Sequence, residues 1–184
     1  MTDSTQQPST RHAIADQPAA SRRDIVTGAA AIAALAGAAG TAEAQGVAPA
    51  NVQFINPPTM AKPPGYTHVI EVTGPGRTVY IAGQLGLDPG GKLAGEPGDF
   101  RAQATQAFEN LKNALAAVGG TFDHVVKLNN YLVDITAHIP ILREVRDRYV
   151  NRATPPASTT VQVGKLARDG VLFEVEAVAV LPPK

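Results

Sequence analysis

Apolar and polar residues recur with two different periods between Tyr66 and Leu181. Tyr66 to Val72 and Arg77 to Ala82 alternate residue by residue, with Thr73-Gly74-Pro75-Gly76 between them, which predicts two strands and a tight connection. Asp88-Pro89-Gly90-Gly91 marks a further turn. From Ala104 the period lengthens, and Ala107, Phe108, Leu111, Leu115 and Val118 form the stripe of an amphipathic helix that Gly119-Gly120 ends. Val125 to Val133 predicts a third strand. Ile141, Leu142, Val145 and Tyr149 predict a second helix from near Thr136, with Pro140 tolerated in its first turn. After Pro155-Pro156, Thr159 to Val163 and Val171 to Leu181 complete the set, joined through Lys165 to Gly170. The order is ββαβαββ, an α+β domain with a single mixed β-sheet and both helices packed on one face.

Upstream the pattern is different. Residues 1–20 are polar, Arg22-Arg23 follows, and Ile25 to Ala39 is an uncharged run of about 15 residues. Such a run is short for a hydrocarbon core of about 30 Å. With Ala42-Glu43-Ala44 behind it, the segment resembles a twin-arginine export signal cleaved after Ala44. A retained Ala-rich anchor is the competing reading, but its small side chains would bury little area per residue. The expectation is therefore a removed signal at 1–44, an Ala/Pro-rich lead-in at 45–64 and a domain at 65–184, periplasmic or secreted and without a stable membrane anchor after cleavage.

Composition narrows the chemistry. Of 16 basic and 16 acidic residues, three and four respectively precede residue 45, leaving 13 against 12. No excess of one sign is available to attract nucleic acid. The chain has no cysteine, and His68, His124 and His138 lack ligand spacing, so neither a metal nor a cofactor is expected. Gly86 to Leu93 approaches a phosphate-binding loop but has Leu93 where a metal-binding hydroxyl is needed; a Gly-rich turn is the better reading.

The last strand carries the candidate chemistry. Alternation puts Phe173, Val175, Ala177 and Ala179 on one face and Glu174, Glu176, Val178 and Val180 on the other. Two carboxylates roughly 6.5 to 7 Å apart then share a face with aliphatic side chains. Such a face suits a subunit contact or a cleft wall better than open solvent, although charged residues at a sheet edge are also common.

Val79-Tyr80-Ile81-Ala82-Gly83-Gln84 with Leu87-Asp88-Pro89, the helix from Gln106 to Gly119, Val125-Val126-Lys127 with Tyr131-Leu132 and Asp134, Val161-Gln162-Val163, and Glu174 to Val180 together resemble the reactive intermediate deaminase family, also called RidA or YjgF-like. The resemblance runs in order from about Tyr66 to Leu181. It implies a chorismate-mutase-like fold, a homotrimer, and small-molecule clefts between subunits where imines or enamines are hydrolysed to a carbonyl compound and ammonia. It also implies that Tyr66 and Gly83 line the cleft, that the carbonyl of Thr160 helps hold a water, and that Glu174 orients or activates it. Tyr66 as a packing residue and Gly83 as a bend are the structural alternatives.

One departure bears on substrate choice. Where active members read Pro-Ala-Arg-Ser, this chain reads Pro156-Ala157-Ser158-Thr159, so Ser158 replaces the arginine that holds the substrate carboxylate. A hydroxyl does not replace a bidentate guanidinium. Arg152, six positions upstream, is either a surface residue or a substitute; Leu142 stands where a polar residue is frequent; Asn130 is either a satisfied buried amide or a ligand contact. The expected ligand is small and uncharged or weakly polar. The alternative is a non-catalytic protein that binds a metabolite or acts through its trimer surface.

Overall fold

The computed structural model describes residues 51–184, and the expected leader lies outside them. Six strands and two helices follow one another as β1 (Val52–Ile55), β2 (Val69–Val72), β3 (Arg77–Leu85), α1 (Phe100–Ala117), β4 (Val125–Leu132), α2 (Ile135–Arg146), β5 (Ala157–Gln162) and β6 (Phe173–Leu181). The main sheet is mixed, in the order β3-β6-β4-β5, with β4 and β5 parallel and the other pairs antiparallel. The α+β class, the two helices and the mixed sheet agree with the hydrophobic periods. Among the described residues no helix is long and apolar enough to cross a membrane.

The strand inventory needs one correction. Val52–Ile55, inside the segment taken for a lead-in, is a strand, and it pairs antiparallel with β2 as a separate two-stranded ladder. Four residues between Pro-rich stretches give too short an alternation to register as a strand. The Tyr66 end of the first expected strand is not extended ladder either, since β2 begins only at Val69.

Both helices start at an aspartate. Asp99 Oδ1 accepts from the Ala102 N–H at 2.9 Å, which begins α1 at Phe100, ahead of the apolar stripe. Asp134 Oδ1 accepts from the Ala137 N–H at 3.0 Å and starts α2 at Ile135. Pro140 consequently falls in the second turn of α2, where it removes the ladder bond to the carbonyl of Thr136. Tyr149 lies beyond α2 and packs as a separate wedge, stacked on Phe108 at 5.2 Å. Its hydroxyl donates to Glu109 at 2.8 Å, and burial, then that bond, push its pKa up to about 12.

β6 supplies the centre of the core. Phe173, Val175, Ala177 and Ala179 are buried against the helices, while Glu174, Glu176 and Val178 on the alternate face remain half-buried. Phe108 stacks on Phe173 at 5.9 Å, and Phe100 meets Phe173 edge-on at 5.7 Å. Phe100 also stacks on His138 at 4.1 Å, which ties α1 to α2.

One buried amide fixes β6 to α1. Gln103, 1% exposed, donates through Nε2 to the Gly170 carbonyl and accepts through Oε1 from the Leu172 N–H, each at 2.9 Å. The entry to β6 is thus held one and three residues before the strand begins. Gln103→Leu should lower stability by about 1 to 3 kcal/mol, chiefly because the Leu172 N–H loses its acceptor. Urea unfolding checks this; an unchanged midpoint would show that water replaces the amide at no cost.

Candidate functional site

The site is best built from the β5 edge. Thr67, 2% exposed, donates from Oγ1 to the Pro155 carbonyl at 2.6 Å, and its N–H donates to the Pro156 carbonyl at 3.3 Å. These two bonds lay the Tyr66 segment against the start of β5. Asn130 on β4 lies between buried Leu128 and Leu132, and its Nδ2 donates to Ser158 Oγ at 3.1 Å, the Thr159 carbonyl at 3.2 Å and Thr160 Oγ1 at 3.2 Å. Ser158 and Thr160 therefore direct their hydroxyls to the helix-covered face. Thr159 points the other way and accepts from Lys127 Nζ at 2.6 Å.

A cavity of about 470 Å³ opens where these groups meet, lined by Tyr66, Asn130, Ser158 and Thr160 from the sheet side and by Leu142 and Arg143 from α2. Asn130 is only partly satisfied, because its buried Oδ1 has no partner among the described residues. Arg152 does not line this cavity. It borders a neighbouring one of about 500 Å³ with Lys62 and Tyr66, and its Nε lies 3.9 Å from Asp147 Oδ2. Among the described residues no group of three or more His, Asp or Glu could hold a metal ion.

Glu174 and Gly83 are placed elsewhere, on the open face. Ala82 and Gly83 of β3 stand opposite the single residue Glu176 of β6, since Ile81 pairs with Ala177 and Gln84 with Val175. This is a bulge, and it brings the Gly83 backbone against Glu174. A Cβ at Gly83 would overlap the Glu174 carboxylate and lie 2.8 Å from its Cδ. The bend and the cleft reading of Gly83 thus describe one geometry. Tyr131 OH and Asn129 Nδ2 both donate to Glu176 Oε1, at 3.1 and 2.7 Å. Desolvation, then this bond, raise the Tyr131 pKa. Glu176 is the anchored carboxylate, and Glu174 is the one these donors leave alone.

Within one chain the expected residues form two groups. Tyr66, Ser158 and Thr160 share a cavity, while Gly83 and Glu174 meet on the opposite face of the sheet. Glu174 on β6 pairs with Tyr131 of β4 and Ser158 on β5 with Leu128, so they lie roughly 10 Å apart across the strands and roughly 10 Å apart along them.

A family model described as endoribonuclease L-PSP matches residues 59–181, almost all of the described chain. The chain belongs to this family, that of the RidA/YjgF proteins. A 2-iminobutanoate/2-iminopropanoate deaminase of Mus musculus is 38% identical over 119 residues, covering 64% of this chain and 82% of that protein. Protein DfrA of Myxococcus xanthus is 40% identical over 115 residues, covering 62% and 84%. The crystal structure of the Rid-family protein YyfB from Yersinia pestis, a protein of unknown function, superposes with a TM-score of 0.64 at 35% identity, covering 71% of this chain and 99% of that one. Membership in the RidA family agrees with the motifs spread from Val79 to Val180.

Thr67, which tethers the Tyr66 segment beside the cavity, had no visible role in the sequence because its partners, Pro155 and Pro156, are distant along the chain. Arg143 lies on an α2 stripe of Ile135, Ile139, Leu142 and Arg146, spaced i, i+4, i+7 and i+11, with Arg143 itself at i+8; the periodicity was legible, but the cavity beneath it was not.

Gly83→Ala should move the Glu174 carboxylate while changing stability by less than about 1 kcal/mol, because the obstructed atoms end a flexible side chain. Carboxyl ¹³C resonances and urea midpoints of the variant report the two effects. A large loss of stability with an unmoved Glu174 resonance would show that the bulge, not the side chain, had given way.

Proposed function

We propose that this RidA-family protein is an exported homotrimer whose inter-subunit clefts hydrolyse a small imine or enamine to a carbonyl compound and ammonia, with Glu174 activating the water. The water oxygen bonds to the imine carbon as Glu174 takes a proton. The proton held by Glu174 and that of the new hydroxyl then pass to nitrogen, so that the C–O double bond forms as the C–N bond breaks and ammonia leaves. The deaminase names of relatives at 38 and 39% identity support the reaction class.

The observation that carries the reading is the division of the site. Glu174 lies against the Gly83 backbone on the open face, and the polar cavity of Ser158, Thr160 and Tyr66 lies on the other. A small molecule cannot touch both groups of one chain, but a neighbouring copy can bring its own group across the gap. The open face also presents Tyr80, 82% exposed, beside Val178 and Glu176, apolar area that a closed assembly would cover. Export by the twin-arginine route rests on Arg22-Arg23 and the run behind it.

A second reading has its own observation. Ser158 replaces the family's carboxylate-holding arginine, and its hydroxyl already engages Asn130. A cleft so altered can bind a metabolite without turnover.

Ammonia release from 2-iminobutanoate generated in solution separates the two. Hydrolysis above the uncatalysed rate, reduced roughly 10²- to 10⁴-fold in Glu174→Gln, is the expected result. No excess over the uncatalysed rate in the parent would favour the binding protein. Native mass spectrometry of the exported form should give an assembly of three chains, each beginning at Gln45. A single-chain mass or an intact Met1 would overturn the corresponding part.

A further inference from the structure

We propose that Arg143 of α2, and not a residue of β5, supplies the cation that holds a carboxylate in the Ser158 cavity, so that the ligand is a small aliphatic carboxylate and not a neutral molecule. The inference rests on the reading above only in taking this cavity as the place where the ligand sits.

Three arginines stand near the cavity. Arg146 donates from both Nε and Nη2 to Asp147 Oδ1, at 3.0 and 2.6 Å, so its charge is offset within the protein. Its guanidinium is also wedged under Gly65, where an added Cβ would lie 2.7 Å from Nη2. Arg152 approaches the same Asp147 and opens into the adjoining cavities. The Arg143 side chain has neither an ion pair nor a hydrogen bond with any described residue, and Arg143 lines the cavity that contains Ser158, as Arg146 does. Among the described residues no carboxylate lines that cavity. With Arg146 paired to Asp147, the charge left uncompensated there is that of Arg143.

The remaining lining gives the ligand its shape. Ser158, Thr160 and Tyr66 offer hydroxyls, and Ile135, Ile139 and Leu142 form an apolar wall along the same helix. A guanidinium beside hydroxyls takes an anion with planar oxygens, and the aliphatic wall takes a short hydrocarbon tail. Arg143 lies one turn after Ile139 on α2, and both line the cavity; Arg143 also borders the adjoining one. A residue serving only the helix macrodipole would need none of this surrounding chemistry.

The test compares two probes with the same carbon skeleton, 2-oxobutanoate and 2-butanone, titrated into the isotope-labelled full chain and followed by NMR at the amides of Ser158 and Thr160. The parent should bind the carboxylate at least tenfold more tightly than the ketone. Arg143→Gln should lose roughly ten- to a hundred-and-fiftyfold of the carboxylate affinity, the size of one charge-assisted contact, while Arg143→Lys recovers part of it and Arg152→Gln changes nothing. Because Arg143 is exposed, melting temperatures of all variants should match the parent. Equal affinities for the two probes, full carboxylate affinity in Arg143→Gln, or a loss in Arg152→Gln instead would each overturn the proposal. Glu174→Gln is the control that keeps the two readings apart: it should keep carboxylate binding whether or not the parent turns over an imine.

Discussion

The alternation of β6 is the constraint on which the rest of this protein depends. Phe173, Val175, Ala177 and Ala179 fill the space beneath the helices, and the same strand must therefore turn Glu174 and Glu176 away from them. The pleat allows no intermediate: a one-residue slip would bury both carboxylates and expose the aromatic centre of the core. Gln103 guards against that slip from α1, because its amide recognises the backbone at Gly170 and Leu172. Packing and chemistry are opposite faces of one nine-residue element.

The two halves of the site answer to different forces. Glu174 is placed by strand pairing and by a bulge that removes the side chain facing it. The Ser158 cavity is instead placed by an edge strand, a helix and a tether. Among the described residues β5 has a strand partner only in β4, and Thr67 reaches across to the carbonyls of Pro155 and Pro156 to close that side. Asn130 serves this second half: it is buried among leucines, and its amide spreads over three consecutive residues of β5.

Much of this was legible in the sequence because it depends on period. The alternation of Glu174 with apolar neighbours, the α1 stripe and the Gly83 bend are local patterns, and each is present in the structure. What was not legible depends on residues distant along the chain. β1 is a strand because β2, some seventeen residues later, offers it a ladder; its own four residues carry little signal. Arg143 carries no motif that would single it out in the sequence, and only the packing of α2 over β5 puts it beside Ser158. Arg152, close to Ser158 in sequence, faces another cavity. Nearness along the chain was the wrong guide to nearness in space.

Chain order and sheet order differ in a way that bears on how the molecule is made. Among the described strands β6 comes last along the chain, yet it sits between β3 and β4, and Arg77 finds its partner only at Leu181. Until β6 has been made, β3 has no neighbour in the main sheet and the core lacks Phe173. Closing a loop of about a hundred residues is slow compared with local helix formation. The main sheet therefore has no stable half-folded stage to stop at, and its edges stay open to chaperones or to aggregation until β6 inserts. Damage at the Leu181 end of β6 would act on the middle of the sheet and not on its margin.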